Sequence, residues 1–116
     1  MNDLNPALAS RLLRENSQEI NDIAEKIIEK RNEYAIKEAE HMDIKAESSV
    51  KRLSEMNVTT AKTWIDIDCK DAKKAMLRAE YELKNLQDRR DVLINSNNNL
   101  KIQIKFAETE IRNLNL

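Results

Sequence analysis

A heptad pattern fills the second half of the chain, from Ile65 to Leu114: IDIDCKDAKKAMLRAEYELKNLQDRRDVLINSNNNLKIQIKFAETEIRNL. Apolar residues recur in it at alternating steps of four and three, and the phase holds for seven heptads. Such a 3.5-residue repeat is typical of a helix that keeps one seam against a partner in a left-handed supercoil. The predicted oligomerisation seam consists of Ile65, Cys69, Ala72, Met76, Ala79, Leu83, Leu86, Leu93, Asn97, Leu100, Ile104, Ala107, Ile111 and Leu114.

Two polar residues, Arg90 and Asn97, occupy a positions of this repeat. An asparagine at an a position fixes the register of a coiled coil and favours a dimer. However, Asn97 lies in a run of five poor helix formers at 95–99, and helix propensity alone equally favours a loop there. Because the heptad phase resumes at Leu100 without a slip, we predict helix through this run and keep a break at 95–99 as the alternative.

The first half of the chain carries a weaker apolar pattern. Asn5 followed by Pro6 is a helix-start signal, since the asparagine can cap and proline is tolerated at the first helical position. From Ile20 onward, apolar residues recur at steps of three or four with only Arg31 off pattern, which predicts one face of an amphipathic helix. The members of this predicted stripe are Ile20, Ala24, Ile27, Ala35, Ala39, Met42, Ala46, Val50 and Leu53.

The stripe stops at Asn57-Val58-Thr59-Thr60, where β-branched and capping residues cluster. Thr59 or Thr60 could cap a second helix that begins here. The predicted organisation is a short helical segment at 1–16, a first long amphipathic helix at 17–56, a turn or kink at 57–60 and a second long helix at 61–116.

The composition favours helices over every other class of structure. The 116 residues include no glycine and one proline, and 35% are charged. Without glycine, tight β-hairpin turns and phosphate-binding loops are hard to build, whereas the strong helix formers are abundant. The predicted fold class is all-α, with long helices that form a helical hairpin or a coiled coil and self-associate.

The net charge, the cysteine content and the lengths of the apolar runs indicate the cellular compartment. The net charge is −1, so no overall electrostatic attraction to nucleic acid or membrane is expected. Cys69 is the single cysteine, which excludes an intrachain disulfide and suits a reducing compartment. No apolar run exceeds three residues, while a membrane span needs about 20. The sequence therefore predicts a cytoplasmic protein without a membrane partner.

No group of residues suggests catalysis or metal binding. Asp66, Asp68 and Asp71 are interpreted as negative charge near a helix N-terminus, where the helix dipole favours it, and His41 has no second imidazole or thiol nearby in sequence. No nucleophile and base pair or glycine-rich loop can be assembled. We expect no enzymatic activity, cofactor, metal or small-molecule substrate.

Basic residues concentrate after the predicted turn. Lys70, Lys74 and Arg78 recur every four residues, so they share one helix edge that could follow a phosphate backbone. Acidic residues interleave with them, and the alternative is an ordinary solvated face. The candidate nucleic-acid contacts are Lys70, Lys73, Lys74, Arg78, Arg89 and Arg90.

The stretch from Val58 to Glu110 resembles the helical C-terminal part of phage recombination mediators, small accessory proteins of phage recombination and replication modules. The residues behind the resemblance are Trp64-x-Asp66-x-Asp68, the segment 80–90 and the segment 104–110. The resemblance implies an oligomer in the host cytoplasm that binds single-stranded DNA and a recombinase. The chain departs from that family in lacking a strongly basic face.

These observations support three functional hypotheses. The first is a non-enzymatic, oligomeric coiled-coil binding or adaptor protein, plausibly phage-encoded, that binds itself and an unidentified protein partner. The second is a phage-type mediator or DNA-metabolism accessory protein that binds single-stranded DNA and a recombinase. The third is a protein inhibitor of a host enzyme.

Overall fold

Two long helices make up the structure, which is a computed structural model that describes residues 5–114. Helix α1 runs Pro6–Glu55 and helix α2 runs Val58–Leu114. They pack as an antiparallel hairpin, and residues 5–114 contain no strand, so the predicted all-α hairpin is confirmed. Over this range neither helix is apolar enough along its length to cross a bilayer. The parts of the predicted organisation at 1–4 and 115–116 lie outside the described residues.

Asparagine side chains cap both helices. Asn5 Oδ1 accepts a hydrogen bond from the Ala7 N–H at 2.9 Å, and Asn57 Oδ1 accepts one from the Thr60 N–H at 2.8 Å. Each bond satisfies a backbone donor that the first helical turn leaves free. The expected cap at Thr59 or Thr60 is therefore wrong, and the cap is Asn57. Within residues 5–114 no backbone φ is positive, so the turn at 56–57 forms without glycine.

Helix α1 is continuous across residues 16 and 17, so the predicted division between a short segment at 1–16 and a long helix at 17–56 is wrong. Helix α2 is continuous through 95–99, as the unbroken heptad phase predicted, and the alternative of a break there is not observed. Polar side chains of these stretches bond to each other across the hairpin: the Asn97 amide donates to Ser17 Oγ at 3.3 Å, and the Asn16 amide donates to Ser96 Oγ at 3.4 Å. Because these side chains have cross-helix partners, they do not compete with the helical backbone for hydrogen bonds.

Contacts divide the chain into two compact units. The terminal unit consists of residues 1–26 and 86–116, and the turn unit consists of Ile27–Asn85. In the terminal unit, Ala9 and Ile23 of α1 and Leu93 and Leu100 of α2 are buried. In the turn unit, the buried apolar side chains are those of Ile27, Ala61, Cys69 and Ala79.

Candidate functional site

The a and d positions of α2 lie against α1 of the same chain along most of the helix. In the turn unit Cys69 and Ala79 are buried, and in the terminal unit Leu93, Asn97 and Leu100 are buried. The remaining members as far as Ala107 are half-buried: Ile65, Ala72, Met76, Leu83, Leu86, Ile104 and Ala107. The seam is thus covered within one chain, and its role in oligomerisation stays a prediction.

The last two seam residues differ from the rest. Ile111 is 54% exposed and Leu114 is 85% exposed. Ser17 lies opposite Asn97, and the two antiparallel helices have the same rise per residue. Pro6, the first residue of α1, therefore lies opposite about residue 108. Ile111 and Leu114 therefore lie beyond the level at which α1 begins.

The face that α1 of the turn unit turns toward α2 is polar. The buried and half-buried positions of this face recur at steps of three or four, with one step of seven between His41 and Ser48, as in a heptad repeat. Most of them carry polar atoms: Lys30, Tyr34, Lys37, His41, Ser48 and Arg52.

The apolar stripe predicted for α1 points away from α2 over this region. Met42, Val50 and Leu53 are 62%, 76% and 50% exposed. The prediction fails because the stripe advances from Ile27 to Ala39 in three successive steps of four, and each such step rotates by about 40° around the helix. After about 120° of rotation the apolar residues have left the packed face.

The result is an exposed apolar surface on α1, which we call the outer stripe. It extends over residues 28–53 and covers a sector about 120° wide, as broad as the apolar face of an ordinary amphipathic helix. No described residue of the turn unit covers it. The outer stripe consists of Ile28, Ala35, Ile36, Ala39, Met42, Ala46, Val50 and Leu53, and all eight side chains are exposed.

A bidentate ion pair joins the helices near the turn. The Arg52 guanidinium donates to both carboxylate oxygens of Asp68 at 2.9 and 3.1 Å, and the Ser48 hydroxyl donates to Asp68 Oδ2 at 2.7 Å. These bonds, Arg52 first and Ser48 second, lower the pKa of Asp68 below its ordinary value. The guanidinium also lies 5.0 Å from the centroid of the Trp64 ring. Asp68 of α2 therefore holds two side chains of α1 next to the turn.

A second polar contact lies further from the turn. Lys30 Nζ donates to Glu82 at 2.6 Å and to Glu33 at 2.9 Å, and these hydrogen bonds, Glu82 first, raise the pKa of Lys30. The pKa of Tyr34 is also raised, chiefly by its hydrogen bond with Glu38. The packed face of α1 in the turn unit is thus satisfied by ion pairs and hydrogen bonds.

The predicted nucleic-acid contacts fall into three groups. Lys70, Lys73 and Lys74 lie together in the turn unit and line one cleft. Arg78 does not line that cleft. In the terminal unit Arg89 donates to Glu19 at 3.1 and 3.2 Å. The Nε atom of Arg90 lies 3.7 Å from a carboxylate oxygen of Asp91.

The hairpin adds two residues of α1 to the three lysines. His41 and Lys45 line the same cleft, which we call the basic cleft and define by His41, Lys45, Lys70, Lys73 and Lys74. Sequence reasoning missed His41 and Lys45 because only the antiparallel pairing of the helices brings them near Lys70. Identifying Asn57 as the cap would have fixed the register of the turn. That register would have shown that His41 and Lys45 lie near Lys70.

The basic cleft is concave and carries an excess of positive charge. Its volume is about 440 Å³, and its other lining residues are Ile65, Asp66, Cys69 and Leu77. Within residues 5–114 no carboxylate oxygen lies within 4.0 Å of the ammonium groups of the four lysines. The arrangement is suited to binding an anion electrostatically.

Comparison with protein-family models, with curated proteins and with solved structures returned no match to this chain. The outer stripe and the basic cleft are the two features of the structure that bear on function.

Proposed function

We propose that this chain is a non-enzymatic, coiled-coil binding protein that self-associates through the outer stripe of α1. The outer stripe is the observation that carries the proposal. A face built of Ile28, Ile36, Met42, Val50 and Leu53 at exposures of 50–76% leaves much apolar surface in water. Exposed apolar patches of this extent mark interaction sites in proteins.

A second copy of the chain is the partner that best fits the outer stripe. The stripe follows about 38 Å of helix, counting 1.5 Å for each residue. A like helix face packed along that length buries on the order of the 800 Å² per partner that is typical of a stable complex. Because the stripe lies on one long, regular helix, it can pair with itself about a two-fold axis, the commonest symmetry of oligomers.

Small residues shape the middle of the stripe. Ala35, Ala39 and Ala46 alternate along it with the larger side chains of Ile36, Met42 and Val50, so the small residues leave room beside the large ones. Larger side chains of a second α1 can pack over these alanines as knobs enter holes in a coiled coil. Two hairpins joined in this way form a four-helix arrangement, with the α1 helices at its centre.

The test is the molar mass by light scattering over a range of protein concentrations. The natural chain is expected to reach at least twice the mass of one chain, while a Met42→Glu/Val50→Glu variant stays at the mass of one chain. Both positions are well exposed, so the variant should keep its helical circular dichroism.

The matched control is Ile102→Glu/Phe106→Glu, at two side chains of α2 that are 66% and 65% exposed. It removes as much exposed apolar surface and adds the same charge, and it is expected to associate as the natural chain does. A natural chain that stays monomeric at every concentration, or an outer-stripe variant that associates normally, would overturn the proposal.

A further inference from the structure

We propose that the basic cleft binds the phosphate backbone of a single-stranded nucleic acid, with the exposed ring of Tyr81 stacking on a base. The proposal stands on the cleft alone and is independent of self-association through the outer stripe. It places the contact on both helices of the turn unit.

The charge of the cleft indicates a polyanion as its ligand. Lys45 comes from α1, and Lys70, Lys73 and Lys74 come from α2, so positive charge lines the cleft from both helices. Asp66 is the single acidic residue that lines it. The other basic side chains on the packed face of α1 in this unit, Lys30, Lys37 and Arg52, are already bonded to carboxylates. The four lysines thus remain available for phosphate oxygens, which bind ammonium groups well.

The neighbouring apolar residues indicate a ligand with bases. Lys70, Lys74, Leu77 and Tyr81 recur at steps of four, three and four, so they share one face of α2. Leu77 is 47% exposed and Tyr81 is 66% exposed. Unpaired bases stack on exposed aromatic rings beside basic grooves, and this is how many proteins hold single strands without reading their sequence.

The exposed ring of Tyr81 beside the lysines favours a single strand over a duplex or a bilayer. In a duplex the bases are stacked on each other, so Tyr81 would have no free base to contact. A bilayer likewise offers no unpaired base to stack on the exposed ring of Tyr81. The structure therefore favours single-stranded nucleic acid among the phosphate-bearing macromolecules.

The experiment is fluorescence anisotropy with a labelled oligothymidylate of about 16 nucleotides, a length within the range of single-strand sites. Measurements over a series of salt concentrations should show a dissociation constant that rises with salt, with a slope of about 0.7 in logarithmic units for each phosphate contact. Lys45→Ala/Lys73→Ala should weaken binding about tenfold or more at low salt and reduce that slope by about 1.4, because two contacts are lost.

Two further variants separate the cleft from general basicity. Lys101→Ala/Lys105→Ala removes the same charge from the exposed surface of α2 in the terminal unit and should leave binding unchanged. Tyr81→Leu should weaken binding several-fold with the salt slope unchanged, because stacking does not release counterions.

Three results would overturn the proposal. One is no binding of the oligonucleotide at low salt. Another is an equal loss of binding in the cleft variant and in the Lys101→Ala/Lys105→Ala control. The third is binding to a DNA duplex of equal length, or to phosphatidylserine vesicles, at least as tight as binding to the single strand.

Discussion

The terminal unit and the turn unit hold the same two helices together by different chemistry. In the terminal unit both helices contribute buried apolar side chains, such as Ala9 and Ile23 opposite a face of α2 that buries Leu93 and Leu100. In the turn unit α2 still presents small apolar residues, but the facing side of α1 carries the half-buried Lys30, Tyr34, His41 and Arg52 and the buried Ser48.

This difference explains where the exposed apolar face of α1 lies. When the packed face of a helix is polar, its apolar residues occupy another face and remain available to a partner. That is the situation of the outer stripe, and the basic cleft lies in the same unit. The terminal unit is better suited to stabilising the hairpin, and the turn unit is better suited to binding.

The largest effect is expected for Leu93→Asp in the terminal unit. Leu93 is 4% exposed, and an unpaired carboxylate at that position should destabilise the chain by roughly 3–5 kcal/mol, as uncompensated buried charges do. Urea unfolding followed by circular dichroism measures the loss. The matched change Ile67→Asp, at a side chain that is 55% exposed in the turn unit, should stay within about 0.5 kcal/mol of the natural chain. Similar losses of unfolding free energy in both variants would contradict the assignment of Leu93 to the packed face of α2 and of Ile67 to its outward face.

A smaller effect of opposite sign is expected for Asn97→Leu, also in the terminal unit. Asn97 is 6% exposed, and among the described residues its Oδ1 atom has no hydrogen-bond partner. A buried acceptor without a partner costs about 1–3 kcal/mol, so leucine should raise the free energy of unfolding by about 1 kcal/mol or more. Asn98→Leu, at the neighbouring exposed position, is the control and should change stability little. A loss of stability in Asn97→Leu would contradict the interpretation that the Asn97 side chain is a costly buried acceptor.

The smallest effect concerns the ion pair of the turn unit. Because the native pKa of Asp68 is lowered from 3.8, its contribution to stability is fully present above that value and is lost as pH falls through the native pKa. Arg52→Gln should therefore lower the melting temperature at neutral pH and have little effect in strong acid.

The carboxyl resonance of Asp68 provides the direct measurement. In an NMR titration its pKa should rise toward 3.8 in Arg52→Gln, since the first of its two hydrogen-bonding partners is lost. Arg78→Gln removes an exposed arginine from the same helix as Asp68 and should leave the titration unchanged. An unchanged titration in Arg52→Gln would mean that the pair does not exist in solution.

The sequence predicted the fold well because its strongest signal is local. The repeat from Ile65 to Leu114 and the lack of glycine together leave little besides long helices, and the cluster at 57–60 indicated where the chain turns. The exact cap could not be chosen, since Asn57, Thr59 and Thr60 all have capping side chains.

The outer stripe and the basic cleft were harder to predict because they depend on pairing between distant residues. The α1 stripe was assigned to the packed face on periodicity alone, and its drift after Ile27 turned Met42 and Val50 outward. Likewise, Lys70 was recognised as basic surface, but its neighbour Lys45 is distant in sequence and joins it only in the hairpin. The buried Ser48 and the half-buried Arg52 occupy this face in place of apolar residues because both bond to Asp68.

Self-association through the outer stripe is tested most directly by measuring how accessible that stripe is at different protein concentrations. In a Cys69→Ala background, Val50→Cys places a thiol on the stripe and Ile102→Cys places one on an exposed position of α2. If copies of the chain join through the outer stripe, the rate of thiol labelling in the Val50→Cys chain should fall as concentration rises, while the rate in the Ile102→Cys chain stays constant. Labelling of both chains at rates that do not depend on concentration would contradict the account.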